Sequence, residues 1–98
     1  MDLSGNSLRG TIPYEIGELK ELSTLDLSWN LLNGPMPHEL SALQTLVTLD
    51  VGHNSLGGPL ISELGRVKYL TILRLNDNHF SGEVPMEIGH LLHLDELQ

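Results

Sequence analysis

A repeat of 24 residues runs through the whole 98-residue chain without an insertion or a slip. When the sequence is written in rows of 24, one column holds only asparagine and another only glycine: Asn6, Asn30, Asn54, Asn78; Gly10, Gly34, Gly58, Gly82. Apolar columns accompany them, and most of their members come from the 22 leucines of the chain. Chance does not keep so many columns in register over four units, so the chain is a repeat protein. We expect units at about residues 1–24, 25–48, 49–72 and 73–96.

The local pattern within one unit predicts its elements. Residues 25–27 alternate apolar, polar and apolar, as a short strand with one buried face does. Residues 32–37 are rich in Gly and Pro, which indicates a turn, with a second short extended stretch expected at the apolar residue Met36. Residues 13–19 begin with Pro and contain an early Glu, which favours a single helical or 3₁₀ turn. Stacked units then form a parallel sheet over one continuous leucine core.

The asparagine column has a specific structural task. Each Asn follows the predicted strand at the point where the chain turns away from the sheet. A side-chain amide both donates and accepts hydrogen bonds, so it can pair with backbone groups that the sheet no longer pairs. We therefore expect the same set of asparagine bonds in successive coils.

Composition excludes several classes of function. Five Lys and Arg against 13 Asp and Glu give a net charge of −8, which argues against a nucleic-acid partner and against docking on an anionic membrane. Without cysteine the chain has no disulfide framework and no thiolate ligands. No apolar run approaches the roughly 20 residues that span a bilayer, and residues 1–6 lack the features of a signal peptide.

Motifs for catalysis or metal binding are not found in the sequence. The nucleophile elbow, the phosphate-binding loop and the dinucleotide fingerprint are all absent. His90 and His93 have helical spacing, but a third ligand and a general base are missing. A ladder of glutamates is best explained by helix-start chemistry: Glu15, Glu39, Glu63, Glu87. We expect no enzymatic activity in this segment, no cofactor and no metal.

Function is expected on the strand residues that point away from the core. Trp29 is the only tryptophan, and its column is predicted to face solvent. Exposed aromatic residues among polar groups are typical anchors of protein interfaces. We predict a ligand-binding surface, the concave strip, made of these residues: Trp29, His53, Arg74, Asp77, Asp26, Asp50. The alternative is that these units are a spacer in a longer solenoid whose ligand binds elsewhere.

The repeat resembles the plant extracellular type of leucine-rich repeat, whose unit reads L-x-x-L-x-L-x-x-N-x-L-x-G-x-I-P-x-x-L-G-x-L-x-x. Residues 22–32 match its first half and residues 10–19 its second half, and the match covers the whole chain. Ile61 replaces the family's Pro, and Ser41 replaces the Gly of the helical turn. The resemblance implies an α/β repeat solenoid, a right-handed superhelix with a parallel sheet on its concave face and short 3₁₀ or helical turns on its convex face.

The same resemblance implies a biological setting. It suggests the ectodomain of a plant receptor-like kinase or receptor-like protein in defence or developmental signalling, at the extracellular side of the plasma membrane or in the apoplast. A protein or peptide ligand would bind the concave face, a co-receptor is a second candidate partner, and any kinase domain would lie outside this chain. The family's cysteine-bearing caps are missing, so we expect residues 1–98 to be one uncapped segment of a longer ectodomain. The alternative is a fragment of a secreted protein similar to polygalacturonase inhibitors.

Overall fold

The computed structural model describes residues 1–59 and 61–81, together with the backbone of a strand at 96–97. Each coil contributes two short strands, and eight occur in this part of the chain: β1 Arg9–Gly10, β2 Thr24–Asp26, β3 Leu31–Gly34, β4 Thr48–Asp50, β5 Ser55–Pro59, β6 Ile72–Arg74, β7 His79–Ser81, β8 Glu96–Leu97. Three 3₁₀ turns of five residues each follow β1, β3 and β5: Tyr14–Glu18, His38–Ala42, Ser62–Arg66. The predicted strand and 3₁₀ turn of the repeat unit are thus confirmed.

The strands form two parallel sheets that run along the stack of coils. One sheet has the order β2-β4-β6-β8 and the other the order β1-β3-β5-β7. In the first sheet Leu25 lies opposite Leu49, which in turn lies opposite Leu73. The register of this first sheet therefore equals the 24-residue sequence period, and its residues of one sequence column become neighbours in space.

The second sheet does not lie where the sequence placed it. The second extended stretch was expected at Met36, but β3 spans Leu31–Gly34 and ends before that residue. β3 ends at Gly34, whose φ of +76° lies in the left-handed region that glycine adopts without steric cost. Gly10 and Gly58 have φ values of +84° and +74°, so this turn explains the invariant glycine column.

A single hydrophobic cluster fills the interior of the stack. Its members come from the predicted apolar columns: Ile12, Leu25, Leu27, Leu32, Met36, Leu40, Leu43, Leu46, Leu49, Val51, Leu56, Leu64, Val67, Leu70, Leu73, Leu75. Phe80 packs against this cluster while partly buried. Met1, Leu3 and Leu19 also belong to apolar columns, but they are exposed because the first coil packs on one side only.

The asparagine column pairs the backbone as predicted. The Asn54 side-chain nitrogen donates to the carbonyls of Val51, Gly52 and Leu27 at 2.9–3.1 Å. Its Oδ1 accepts from the backbone N–H of Leu32 at 3.1 Å. One buried amide therefore links two adjacent coils through four backbone groups. Two further members of the column make corresponding bonds: Asn30, Asn78.

The 3₁₀ turns begin with acidic residues, as the glutamate column predicts. Glu15, Glu39 and Glu63 each lie in the first turn of their helix, near its exposed N–H groups. Glu87 lies outside the described residues. None of the helices in the described part of the chain combines the length and the apolar character that a membrane crossing requires.

Candidate functional site on the concave strip

Three residues of the concave strip lie at the ends of neighbouring strands in the first sheet. Asp26 ends β2, Asp50 ends β4 and Arg74 ends β6, and the sheet register places them side by side. The other three, Trp29, His53 and Asp77, follow three residues further along each coil. The strip therefore consists of two adjacent rows that run across three consecutive coils.

The second row has an unusual backbone conformation. Trp29, His53 and Asp77 have φ values of +57°, +55° and +56°, and Gly5, the preceding member of the column, has +66°. A left-handed conformation costs a residue other than glycine about 1–3 kcal/mol, so it persists only where surrounding structure enforces it. Here the coils enforce it: Trp29 N–H donates to the Gly52 carbonyl at 3.0 Å. Strained residues of this kind cluster at binding sites.

Trp29 and His53 stack on each other across two coils. Their ring centroids are 3.7 Å apart and the ring planes differ by 13°. The Trp29 side chain nevertheless remains 64% exposed. The prediction that this column faces solvent is confirmed for Trp29, and the stack fixes the orientation of its indole.

His53 continues the row to the next coil through polar contacts. Its Nδ1 lies 3.1 Å from Oδ2 of Asp77, and its Nε2 lies 3.4 Å from Nδ2 of Asn76. The neutral imidazole tautomer with hydrogen on Nδ1 satisfies both contacts, because Nδ1–H donates to the carboxylate while Nε2 accepts from the amide. Trp29, His53 and Asp77 thus form one continuous row, which we call the aromatic row.

The first row is dominated by intramolecular contacts. Arg74 Nη1 lies 3.7 Å from Asp50 Oδ2, and Asp50 Oδ1 accepts from the Gly52 N–H at 2.9 Å. Asp26 Oδ1 accepts from both the N–H and the hydroxyl of Ser28, at 3.0 and 2.6 Å. These two aspartates therefore hold the backbone at the end of their strands as well as lining the strip.

The column beside the first row is less exposed than the strip. Ser28, two residues after Asp26, is buried. Burial is tolerated because its hydroxyl donates to the Asp26 carboxylate. The Ser28 column therefore supports the strip from below.

Two residues near the aromatic row were not singled out from the sequence. Asn76 contacts His53, and Gly5 continues the left-handed column. The occurrence of Gly and Asp in one column is a usable signal, because both tolerate positive φ better than most residues. His90 and His93 have helical spacing but lack a third ligand, so no metal was expected there, and both lie outside the described residues.

Comparison with protein families and solved structures places this geometry in context. The model of the family described as Leucine Rich Repeat matches residues 1–19, 21–43, 45–67 and 69–91. No curated protein matches the chain significantly. Ectodomains built from leucine-rich repeats typically have no enzymatic activity.

Three solved structures illustrate the similarity. A TDR receptor superposes with a TM-score of 0.96 at 42% identity, over 99% of this chain and 17% of that one. The ectodomain of the receptor kinase GASSHO1/SCHENGEN3 from Arabidopsis thaliana, in complex with CASPARIAN STRIP INTEGRITY FACTOR 2, gives 0.96 at 39%, over 98% and 12%. The plant peptide hormone receptor RGFR1, in complex with RGF2, gives 0.93 at 32%, over 96% and 15%.

This chain therefore spans less than a fifth of the length of each of these three receptors. The family match nevertheless covers most of its residues, and the stacked coils, the two parallel sheets and the asparagine column all agree with it. The chain belongs to the leucine-rich repeat family, and its fold is that of plant receptor-kinase ectodomains.

Proposed function

We propose that this segment is a recognition module of a plant receptor-like kinase or receptor-like protein, located on the extracellular side of the membrane. In this proposal the segment, units 1–24 to 73–96, is part of a longer ectodomain, and its concave strip binds an extracellular peptide or protein. Two of the similar structures described above are complexes with a peptide hormone or a named factor, which supports a ligand of this class.

The observation that carries the proposal is the aromatic row. The Trp29 side chain is 64% exposed, so a large apolar surface is in contact with water. Its left-handed backbone conformation is also unfavourable for a bulky side chain. The stacked coils impose this conformation on every described member of the column, but they do not require a tryptophan there. Both features are useful for binding, because a large and rigidly oriented aromatic side chain loses little entropy on contact with a partner.

The electrostatics of the strip supply specificity. Arg74 and the carboxylates of Asp26 and Asp50 lie in the row next to the indole. A ligand that crosses the strip meets an aromatic anchor on one side and a charged row on the other. Such an arrangement suits an extended peptide, whose side chains alternate between the two sides of its backbone.

The experiment is a selection of random displayed peptides on the purified chain, followed by affinity measurements with variants. We expect Trp29→Ala to weaken the binding of selected peptides by about tenfold or more, as loss of an interface anchor does, and Arg74→Glu to weaken it also. Tyr14→Ala is the matched control, since Tyr14 is also 64% exposed but lies on the first 3₁₀ turn.

Two results would contradict the proposal. Selected peptides that bind Trp29→Ala and Arg74→Glu as tightly as the unmodified chain would favour the spacer alternative. Equal losses in Trp29→Ala and Tyr14→Ala would show that the peptides respond to any exposed aromatic residue rather than to the strip.

A further inference from the structure

One face of the Trp29 indole has no neighbour in its own column. His53 covers the face directed toward the following coil, with the rings nearly parallel. The opposite face is directed toward the preceding coil, where the column position is Gly5. Gly5 N–H donates to the Ser28 carbonyl at 3.0 Å, just as Trp29 N–H donates to the Gly52 carbonyl. The two coils are therefore in register, and Gly5 contributes no side chain toward the indole.

None of the described residues fills the space beside Gly5. A methyl group added to Gly5 would lie within 4 Å of no other atom outside its chain neighbours. Adjacent coils are separated by the usual strand spacing of about 4.8 Å. A flat group that enters at the level of Gly5 would lie one coil away from the indole, which is within stacking distance. We call this space the Gly5 slot, with the free face of Trp29 as one wall.

Carboxylates lie beside the slot on the same two coils. Asp2 and Asp26 pair across the first sheet, three residues before Gly5 and Trp29 respectively. Within the described residues, the hydrogen bonds to these two carboxylates all go to Oδ1. Ser4 donates to Asp2, and Ser28 donates to Asp26. The Oδ2 atoms then serve as acceptors for a donor on a ligand.

The N-terminal ammonium donates to the Thr24 carbonyl and acts on the Asp2 carboxylate, whereas two side-chain cations of the first coil lie on other elements. Arg9 lies in β1 of the second sheet, and Lys20 follows the first 3₁₀ turn. The chain as a whole has a net charge of −8. A partner that approaches this part of the strip is therefore attracted if it is basic.

We propose that the Gly5 slot binds the guanidinium group of an arginine side chain on the partner, stacked on the free face of Trp29 and next to the carboxylates of Asp2 and Asp26. A guanidinium is flat, stacks on aromatic faces and forms directed hydrogen bonds to carboxylates, whereas an ammonium is a compact point charge. This inference rests on the proposed function, because it names a chemical feature of the ligand that the concave strip would recognise.

The test uses the full chain and peptides selected on it from a random displayed library. Each arginine of a selected peptide is replaced by citrulline, which keeps the flat shape and removes the charge. Binding is followed by the fluorescence of Trp29, the only tryptophan in the chain. We expect citrulline at one position to weaken binding about tenfold, since both stacking and ion pairing depend on the charge.

A pair of matched variants tests the slot itself. Gly5→Asn fills the slot with a residue that tolerates positive φ, so the coil keeps its conformation. Gly10→Asn makes the same exchange at another glycine with positive φ and open surroundings, but on the second sheet. We expect Gly5→Asn to weaken binding about tenfold and to abolish the effect of citrulline, while Gly10→Asn leaves both unchanged.

The outcomes separate the two proposals. Peptides that depend on Trp29 and Arg74, but bind Gly5→Asn normally and tolerate citrulline, would overturn the slot and leave the recognition function intact. Undiminished binding with lysine in place of arginine would show charge attraction without stacking, which also contradicts the slot. Peptides whose binding does not depend on any residue of the concave strip would overturn both.

Discussion

The indole ring of Trp29 lies on the imidazole ring of His53 with their centroids 3.7 Å apart. The two residues are 24 positions apart in the chain, so the contact exists only because consecutive coils stack in register. It brings an exposed aromatic residue into a fixed orientation without burying it. Sequence repeat, sheet register and the candidate site are linked by this one contact.

The stack predicts an energetic coupling between its two members. In a double-mutant cycle with Trp29→Ala and His53→Ala, the free energies of unfolding should deviate from additivity by about 0.5–1.5 kcal/mol, as aromatic pairs do. Urea denaturation followed by circular dichroism measures all four proteins. The pair Trp29→Ala with Tyr14→Ala is the control and should be additive, and an equally additive Trp29–His53 pair would show that the stack contributes nothing to stability.

The asparagine column predicts a large loss of stability on removal of one amide. Asn54→Ala leaves the Leu32 N–H without the hydrogen bond that the Asn54 Oδ1 provides. The carbonyls of Leu27, Val51 and Gly52 each lose one of two bonds, because Asn30, Asn78 and Trp29 still donate to them. We expect the free energy of unfolding to fall by about 1–3 kcal/mol, the cost of one unsatisfied buried group. Asn33→Ala, at an exposed position of β3, is the control and should change stability by less than about 0.5 kcal/mol.

Two coils approach each other closely at Gly17, so a larger side chain there should destabilise the chain. A methyl group there would lie 2.8 Å from the carbonyl oxygen of Glu39 and 3.1 Å from its Cβ, so the coils must separate. We expect Gly17→Ala to destabilise the chain by about 1–3 kcal/mol. At Gly57 the nearest atom, the His79 carbonyl oxygen, is 3.8 Å away, so Gly57→Ala should be tolerated. Similar denaturation midpoints for the two variants would contradict the predicted crowding at Gly17.

The stability of the folded state should depend on the protonation of Asp2. Hydrogen bonds from the Ser4 hydroxyl and then from the Ser4 N–H lower the pKa of the Asp2 carboxyl below its ordinary value of 3.8. A carboxyl with a lowered pKa stabilises the folded state above its ordinary pKa, and this contribution disappears as the pH falls through the lowered value. Ser4→Ala should therefore raise the pKa of Asp2. Carbon-13 NMR titration of the carboxyl measures it, and an unchanged pKa would contradict the assignment.

The parts of this structure that follow the period were predictable from the sequence. Leu25, Leu49 and Leu73 share a column, and a column in a stacked repeat becomes a row of buried neighbours. The glycine column marked a turn, but the sequence did not show which side of that turn is extended. In the structure the extended stretch precedes the turn, because β3 ends at Gly34 and Met36 lies beyond it.

The candidate site was predictable only in part, for a different physical reason. A column shows that Trp29 and His53 are neighbours, but not which rotamers they adopt. Their stacking depends on a left-handed backbone at both residues, which only Gly5 and Asp77 in the same column suggest. The empty position at Gly5 became significant only when the orientation of the indole was known.

The most direct test of the account is an NMR titration of the isotopically labelled chain with a peptide selected on it. If the aromatic row is the recognition surface, the largest shift changes will occur at the indole N–H of Trp29 and at the amides of His53 and Asp77. The largest changes at the 3₁₀ turns, for example at Tyr14, would contradict the account and place recognition on the opposite face of the stack.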